Sequence, residues 1–450
     1  KVEDGNDVSE INDAFNRAKD ESTKPSLIIV KTLIGYGSPN KQGKASAHGE
    51  ALGVEELEAT KKFFEWNYEP FEVPEEIKNL TTQFRMDGIA REKEWKSQTG
   101  LYQKAFPDLF KEFEDWFSNM DYSKILLEDH DFWKFEKPMA TRIASGLLIN
   151  RLADVMPNLI GGSADLAPSN KTNISNKGDF SAENRAGGNL HFGVREHAMS
   201  AIGNGIQVHG GLKVFVSTFF VFTDYMKAGM RLSSIMKLPV TYVLTHDSIG
   251  VGEDGPTHEP VEQLAALRSM PGMTVFRPAD AHETAAGWYL AATKKDGPVA
   301  LILTRQTLPL YEETGVEALK GAYIINKSLE TKTIPDIILM ASGSELKLVI
   351  EAAATLAQEG IVARVVSVPS FELFDEQEET YKEEVLPSSV TARIAVEAGS
   401  SFGWHRFTGL KGRVIGLDRY GASGKAESLF EAFGFTAENV ISVSKEILKA

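Results

Sequence analysis

Between His191 and His258 the sequence gathers residue types that move protons and hold anions. The stretch reads HFGVREHAMSAIGNG, then FVSTFFVFTDYMKAG, then VTYVLTHDSIGVGEDGPTH. Glu196 sits in GVREHAM at the start of a helix-like run, where the helix dipole stabilises a carboxylate. Its plain reading is a first-turn acid beside Arg195. Its chemical reading is a buried carboxylate that handles a proton on a ring nitrogen. Phe219, Phe220, Phe222 and Tyr225 cluster after a strand-like run. Such clusters are mostly core; the alternative is a face for a flat heteroaromatic ring.

His246, Asp247, Glu253, Asp254 and His258 fall within thirteen positions of a glycine-rich loop. Two imidazoles there could hydrogen-bond a sugar hydroxyl or shuttle a proton near neutral pH. Acids mixed with imidazoles and no cysteine match no zinc pattern. Arg142, Ser169 and Arg305 could gather an anion, since a guanidinium presents a planar fork to phosphate. Singly, each also reads as an ordinary surface or structural residue. His48, in SAHG, lies in a long glycine- and lysine-rich loop and could reach a site from there.

Alternating strands and helices must position these groups. The spacing predicts helices at Thr141 to Met156, Glu196 to Gln207, Phe222 to Met236, Pro260 to Met270 and Ala281 to Ala292. Strands are predicted at Leu212 to Val216, Val240 to Leu244, Val275 to Phe276 and Val299 to Thr304. GGSADLAPSN reads as a loop after Leu159 and Ile160. This alternation argues a mostly parallel sheet with ligands at the strands' carboxyl ends.

A second alternating unit follows. Its strands are expected at Ile337 to Ala341, Ala363 to Val368, Ala392 to Glu397, Val414 to Leu417 and Val440 to Val443. Phe371 to Phe374 reads as a turn. His405 and Arg406 read as contacts between domains. Upstream, the pattern gives a helix over Asp7 to Lys19 and a strand over Leu27 to Lys31. Three helical stretches follow, at Val54 to Phe64, Glu72 to Trp95 and Tyr102 to Trp116, the last interrupted by Pro107.

A chain of 450 residues exceeds one hydrophobic core, so two to four domains are expected. The net charge of −15 and the lack of a Lys/Arg tract argue against nucleic acid or an anionic membrane as partner. No apolar run has the length of a membrane span. Without cysteine there is no disulfide, thiolate metal site or thiol nucleophile. That composition fits a reducing compartment, and a cytoplasmic location is expected.

KTLIGYGSPNKQGKASAHG, GGSADLAPSN, FGVREHAM, TFFVFTDY, THDSIGVGEDGPTHEP and TRQTLP occur in that order. Through them the whole chain resembles the transketolases. The resemblance implies a multidomain α/β thiamine diphosphate-binding fold. Residues 1–132 would be a remnant of the diphosphate-binding domain plus a linker. Residues 133–315 would be a parallel-sheet pyrimidine-binding domain, and 316–450 a smaller α/β C-terminal domain. It implies reversible transfer of a two-carbon ketol unit from a ketose phosphate to an aldose phosphate, in the pentose phosphate pathway.

By the same resemblance, Glu196 hydrogen-bonds the aminopyrimidine and promotes the ylid. Phe219, Phe222 and Tyr225 pack on that ring, and Asp165 lines the cofactor site across a homodimer interface. Arg142, Ser169, His246 and Arg305 contact the substrate phosphate, and Asp254 a substrate hydroxyl. His258 and His48 lie near the reacting carbonyl, with His48 also on the cofactor side. The family's GDG motif and following Asn, which bind Mg²⁺ or Ca²⁺ and the diphosphate, have no counterpart here. No metal ligand is therefore assigned. The expectation is a chain lacking its N-terminal portion, or one completed by a complementary chain, and inactive alone. Glu259 stands where many relatives have Gln. Competing readings are a dihydroxyacetone synthase-like or other thiamine diphosphate enzyme, and a non-catalytic module from a truncated transketolase.

Overall fold

The computed structural model describes residues 1–118, 120–325 and 334–449. They fall into two units, Lys1–Ala105 and Phe106–Ala450.

In the first unit, the helix Val8–Asp20 starts at Asp7, whose carboxylate accepts from the backbone N–H groups of Ser9 and Glu10. The strand expected over Leu27 to Lys31 does not form. Only Val30 bridges Val2, because Val2 is the single residue opposite it and a ladder needs a longer partner. The long loop is anchored rather than loose. Glu56, on the helix Val54–Phe63, accepts from Ser38 Oγ and from Asn40 N at 2.9 Å and Nδ2 at 2.8 Å. Those bonds, Ser38 foremost, hold the Glu56 carboxyl down at about 2. The next helix is one continuous rod, Glu75–Ala105, that takes in Tyr102. Pro107 does not interrupt a helix but begins one, Pro107–Phe117, as proline's missing N–H allows in a first turn.

The second unit holds two sheets. Six strands of the first are β1 (Leu159–Ser163), β2 (Asn189–His191), β3 (Lys213–Phe219), β4 (Thr241–Thr245), β5 (Thr274–Phe276) and β6 (Val299–Leu303). Among the described residues they form one sheet, ordered β2-β1-β3-β4-β6-β5 and parallel throughout. The second sheet uses β7 (Tyr323–Ile324), β8 (Ile337–Ala341), β9 (Ala363–Ser367), β10 (Arg393–Val396) and β11 (Arg413–Ile415). Its order is β11-β10-β8-β9-β7, with β7 antiparallel at the edge. Strands β4, β6 and β8 are buried along their whole length. That accounts for their unbroken apolar runs, since helices cover both faces of a parallel sheet.

Several sequence expectations change. GGS of GGSADLAPSN belongs to strand β1, not a loop. Its glycines let neighbours close in: a Cβ on Gly162 would collide with the Leu190 carbonyl of β2. β2 itself went unseen, being three residues long. Val440 to Val443 is not a strand but part of the helix Ala437–Lys449, which buries Val440 and Ser444 at a spacing of one helical turn. Phe371 to Phe374 lies in the short helix Phe371–Asp375, capped by Ser370. The helix expected over Pro260 to Met270 shrinks to Gln263–Arg268. Among the described residues Arg406 pairs at the surface with Asp375 at 2.7 Å, both in the second α/β layer, rather than across domains. Among the described residues no helix is long and apolar enough to cross a membrane.

Candidate active site

All strands of the first sheet point the same way, so the loops leaving their carboxyl ends share one edge. Asp165 and Ser169 follow β1, and Glu196 follows β2. Phe219 ends β3, with Phe222 and Tyr225 just beyond. His246 to His258 follow β4, and Arg305 follows β6. Arg142 joins from the helix Thr141–Val155. That helix is pinned beside β6, because Thr304 N donates to Thr141 Oγ1 at 2.7 Å and Thr141 N to Thr304 Oγ1 at 3.1 Å.

His246 is the centre of this cluster. It is 3% exposed, and its ring stacks on Phe219 with centroids 3.7 Å apart. Its backbone has φ +63, a left-handed conformation that costs a non-glycine residue roughly 1–3 kcal/mol. Hydrogen bonds set its tautomer. Thr245 Oγ1 donates to Asn170 Oδ1 at 2.7 Å, so it accepts from His246 Nδ1–H at 2.8 Å. Nε2 is left as an acceptor, 3.4 Å from Arg142 Nη1.

The charge around His246 is one-sided. Arg142 donates to the Ser169 carbonyl at 2.7 Å and Arg305 to the Val251 carbonyl at 3.1 Å, rather than to carboxylates. Arg142 Nε is buried without a partner among the described residues. Burial, and then Arg142, Arg305 and His258, push the His246 imidazole down to about 3. Burial and then Arg305 also lower Arg142. Two uncompensated guanidinium groups beside a neutral imidazole make a site for a small anion, in a chain that is acidic overall. Ser169 takes part through its main-chain carbonyl, where the sequence suggested its side chain.

The depressed imidazole has a measurable consequence. An unfolded histidine takes its proton near pH 6.5, whereas folded His246 takes it only near 3. The resulting stability is complete above pH 6.5 and drains away as pH falls toward 3. Relative to His246→Gln, the parent should lose up to about 1.4 kcal/mol per pH unit across that window. Urea melts at pH 7, 6 and 5 check this; parallel curves for the two proteins would refute it.

Glu196 is the first residue of the helix Glu196–His209 and is 8% exposed. Its carboxylate takes no hydrogen bond or ion pair from any described residue. With no protein donor engaged, the carboxylate is free to accept from a ligand. Phe222 stacks parallel to Phe219 at 6.0 Å, and His258 meets both rings edge-on at 6.5 and 5.6 Å. Tyr225 leans on Phe222 at 6.0 Å and is 66% exposed.

The remaining sequence candidates are less gathered. Asp254 and Asp165 are exposed, the latter at φ +60. His48 is in the first unit, exposed, and closes the short turn Ala45–Ala47. Asp247 is no part of a ligand-facing loop: it turns inward, and its Oδ2 accepts from Arg277 at 2.7 and 3.0 Å. Thr245, Asn170 and Arg277 were missed altogether. Thr245 directly before His246 was a signal of sorts, but its partner Asn170 lies 75 positions away.

Three family models match: "Transketolase, thiamine diphosphate binding domain" over 1–121, "Transketolase, pyrimidine binding domain" over 137–310, and "Transketolase-like TK C-terminal domain" over 321–436. A transketolase of Bacillus subtilis is 48% identical over 464 residues, covering 99% of this chain and 68% of the relative. A transketolase from Pichia stipitis, solved in complex with sedoheptulose-7-phosphate, superposes with TM-score 0.91 at 36% identity. That match covers 100% of this chain and 66% of the other. A split-gene transketolase, described as an inactive β4 tetramer, matches with TM-score 0.55 and 26% identity, over 69% of this chain and 98% of its own. The chain thus spans about two thirds of the length of the first two.

Proposed function

The chain belongs to the transketolase family of thiamine diphosphate-dependent transferases, and from that premise we propose that residues 106–450 carry the pyrimidine and substrate side of a ketol-transfer site. The reaction is reversible transfer of a two-carbon ketol unit from a ketose phosphate to an aldose phosphate, as in the pentose phosphate pathway. The observation that carries this reading is Glu196, whose carboxylate no described residue engages, on the same sheet edge as the Arg142–His246–Arg305 cluster.

The residues present fit the pyrimidine end of thiamine diphosphate. Glu196 offers an acceptor that no protein group uses, and Phe222 and Tyr225 offer aromatic surface. When bound, the cofactor supplies an electron sink for the two-carbon unit. Glu196 holds a proton on the pyrimidine ring nitrogen. Arg142, Ser169, His246 and Arg305 contact the substrate phosphate, His246 being held by its Nδ1–H donating to Thr245 and its Nε2 lying 3.4 Å from Arg142 Nη1. Asp254 hydrogen-bonds a sugar hydroxyl. His258, and His48 from the first unit, serve the reacting carbonyl, and Asp165 lines the cofactor site. In the same proposal 1–132, 133–315 and 316–450 are the three domains, and the location is cytoplasmic.

For the diphosphate end no residue is assigned. Among the described residues no group of three or more His, Cys, Asp or Glu could hold a metal ion. The proposal leaves the Mg²⁺ or Ca²⁺ and the diphosphate to a missing N-terminal portion or a complementary chain and routes no step through them. A homodimer belongs to the proposal too. Ile202, Val208, Leu232 and Ile235 are 47–59% exposed on the packed helices Glu196–His209 and Thr223–Ile235, an apolar face of the kind a second copy covers.

Two experiments test the reading. Titrated alone with thiamine diphosphate and Mg²⁺, these 450 residues should show no metal-dependent tight binding and no turnover; either one would remove the need for a second chain. In the assembled enzyme, Arg142→Ala and Arg305→Ala should each raise KM for phosphorylated sugars by about 10–100-fold, the loss of a charge-assisted phosphate contact. An unchanged KM in both would end the phosphate assignment.

A further inference from the structure

Arg277 lies just past β5 and was silent in the sequence. Its side chain is fully buried, and its backbone N–H donates to the Pro369 carbonyl at 2.8 Å. One side of its guanidinium, Nε and Nη2, grips Asp247 Oδ2 at 3.0 and 2.7 Å. The other, Nη1, donates to the Ser342 carbonyl at 3.0 Å and to Glu345. Ser342 and Glu345 follow β8 of the second sheet, and Glu397, 3.8 Å away, follows β10. Gly343, at φ +57, leaves the space: a Cβ there would come within 2.7 Å of the guanidinium carbon. Asp247 is the next residue after His246, whose left-handed backbone is what brings the imidazole onto Phe219. The loop after β11 also holds the far part of the same loop, through Ser423 Oγ donating to the Glu253 carbonyl at 2.6 Å.

We propose that Arg277 is a positioning residue: braced by Ser342 and Glu345 of the last α/β layer, it fixes Asp247 and so holds His246 stacked on Phe219 beside Arg142. The last layer, which places no side chain of its own among the candidate site residues, thereby sets the geometry of the anion cluster. A guanidinium is the group for this task, because its planar fork binds both sides at once and a point-charge ammonium does not.

The test is made first on the full chain with ring-¹³C histidine, the His246 signal being assigned by its loss in His246→Gln. In the parent that signal should carry the upfield displacement of a ring lying on Phe219. Arg277→Lys and Asp247→Asn should each lose it, while the His282 signal, set by Phe135 at 5.9 Å, stays in place. Either variant that folds is sufficient. An unmoved His246 signal overturns the proposal, and so does equal movement of His246 and His282, which marks general loosening. The kinetic arm rests on the ketol-transfer reading and uses the assembled enzyme. There the same variants should raise KM for a ketose phosphate about tenfold and leave kcat within threefold. A parent inactive on every ketose phosphate would defeat that reading while the histidine signals still decide the positioning claim.

Discussion

Glu196→Gln is expected to lower kcat of the assembled enzyme by about 10²–10⁴-fold, the range for a positioned proton-handling group. Glutamine keeps the shape and can still hydrogen-bond, but its amide cannot hold the proton that a carboxylate holds. The apoprotein should behave differently. Glu196 receives no hydrogen bond from the described residues, so its carboxylate contributes no contact to the folded apoprotein. Removing that charge should leave the melting temperature of the cofactor-free protein unchanged, because no protein contact is lost with it. Kinetics with saturating cofactor and thermal melts without it measure both halves. Activity within tenfold of the parent would remove Glu196 from the chemistry. Full loss of activity together with a large drop in melting temperature would assign it a structural role.

The second large effect concerns stability. Arg277→Met should destabilise the protein by about 3–5 kcal/mol, the cost of removing one partner from a buried ion network. Three carboxylates, Asp247, Glu345 and Glu397, surround Arg277, and its only fellow cation there among the described residues is Arg268. Arg268 grips Glu397 through two bonds of 2.7 and 2.8 Å while its guanidinium lies 3.8 Å above the Phe371 ring. Trp404 Nε1 adds a third bond to Glu397 at 2.7 Å. Burial alone would push the Glu397 carboxyl up; Arg268 first and then Arg277 hold it down at about 2. Burial leaves Glu345 raised in spite of Arg277. Methionine fills the volume but leaves the carboxylates facing one another. Urea denaturation at pH 7 gives the measurement, and a loss below about 1 kcal/mol would show that the network contributes little. The depressed Glu397 adds a pH term: its stabilisation is present above the unfolded value of 4.5 and is lost as pH falls toward 2.

The parts of the fold that were legible are those with local periodicity. Ile337–Ala341 was read to the residue, and the helices at 141, 196 and 281 from their first residues, with ends within one or two positions. These segments carry their own burial pattern, continuous in parallel strands and one-sided in helices. The misreadings share another cause. Gly161 and Gly162 look like a turn until β2 and β3 are placed against them. Val440 to Val443 has the composition of a strand, yet a helical face fits it equally well until the layer beneath is known. Leu27 to Lys31 has the right residues and lacks a partner of sufficient length.

At the site, residue type and order were enough to single out Glu196, Phe219, Phe222, His246, His258, Arg142 and Arg305, and the motifs around them to suggest a family. Chemistry of that kind is written in side-chain identity, which folding does not alter. Which of these groups meet, and in what protonation state, was decided by the tertiary structure. His246 is neutral because folding buries it between two arginines, with Thr245 and Asn170 orienting its ring. Asp247 and His246 are adjacent in the chain yet do different work. A left-handed backbone turns the imidazole to the anion cluster and the carboxylate to Arg277, whose other partners lie 65 and 68 positions on. Electrostatic environment and long-range pairing depend on distances through space, and those distances come into being only when the two sheets pack.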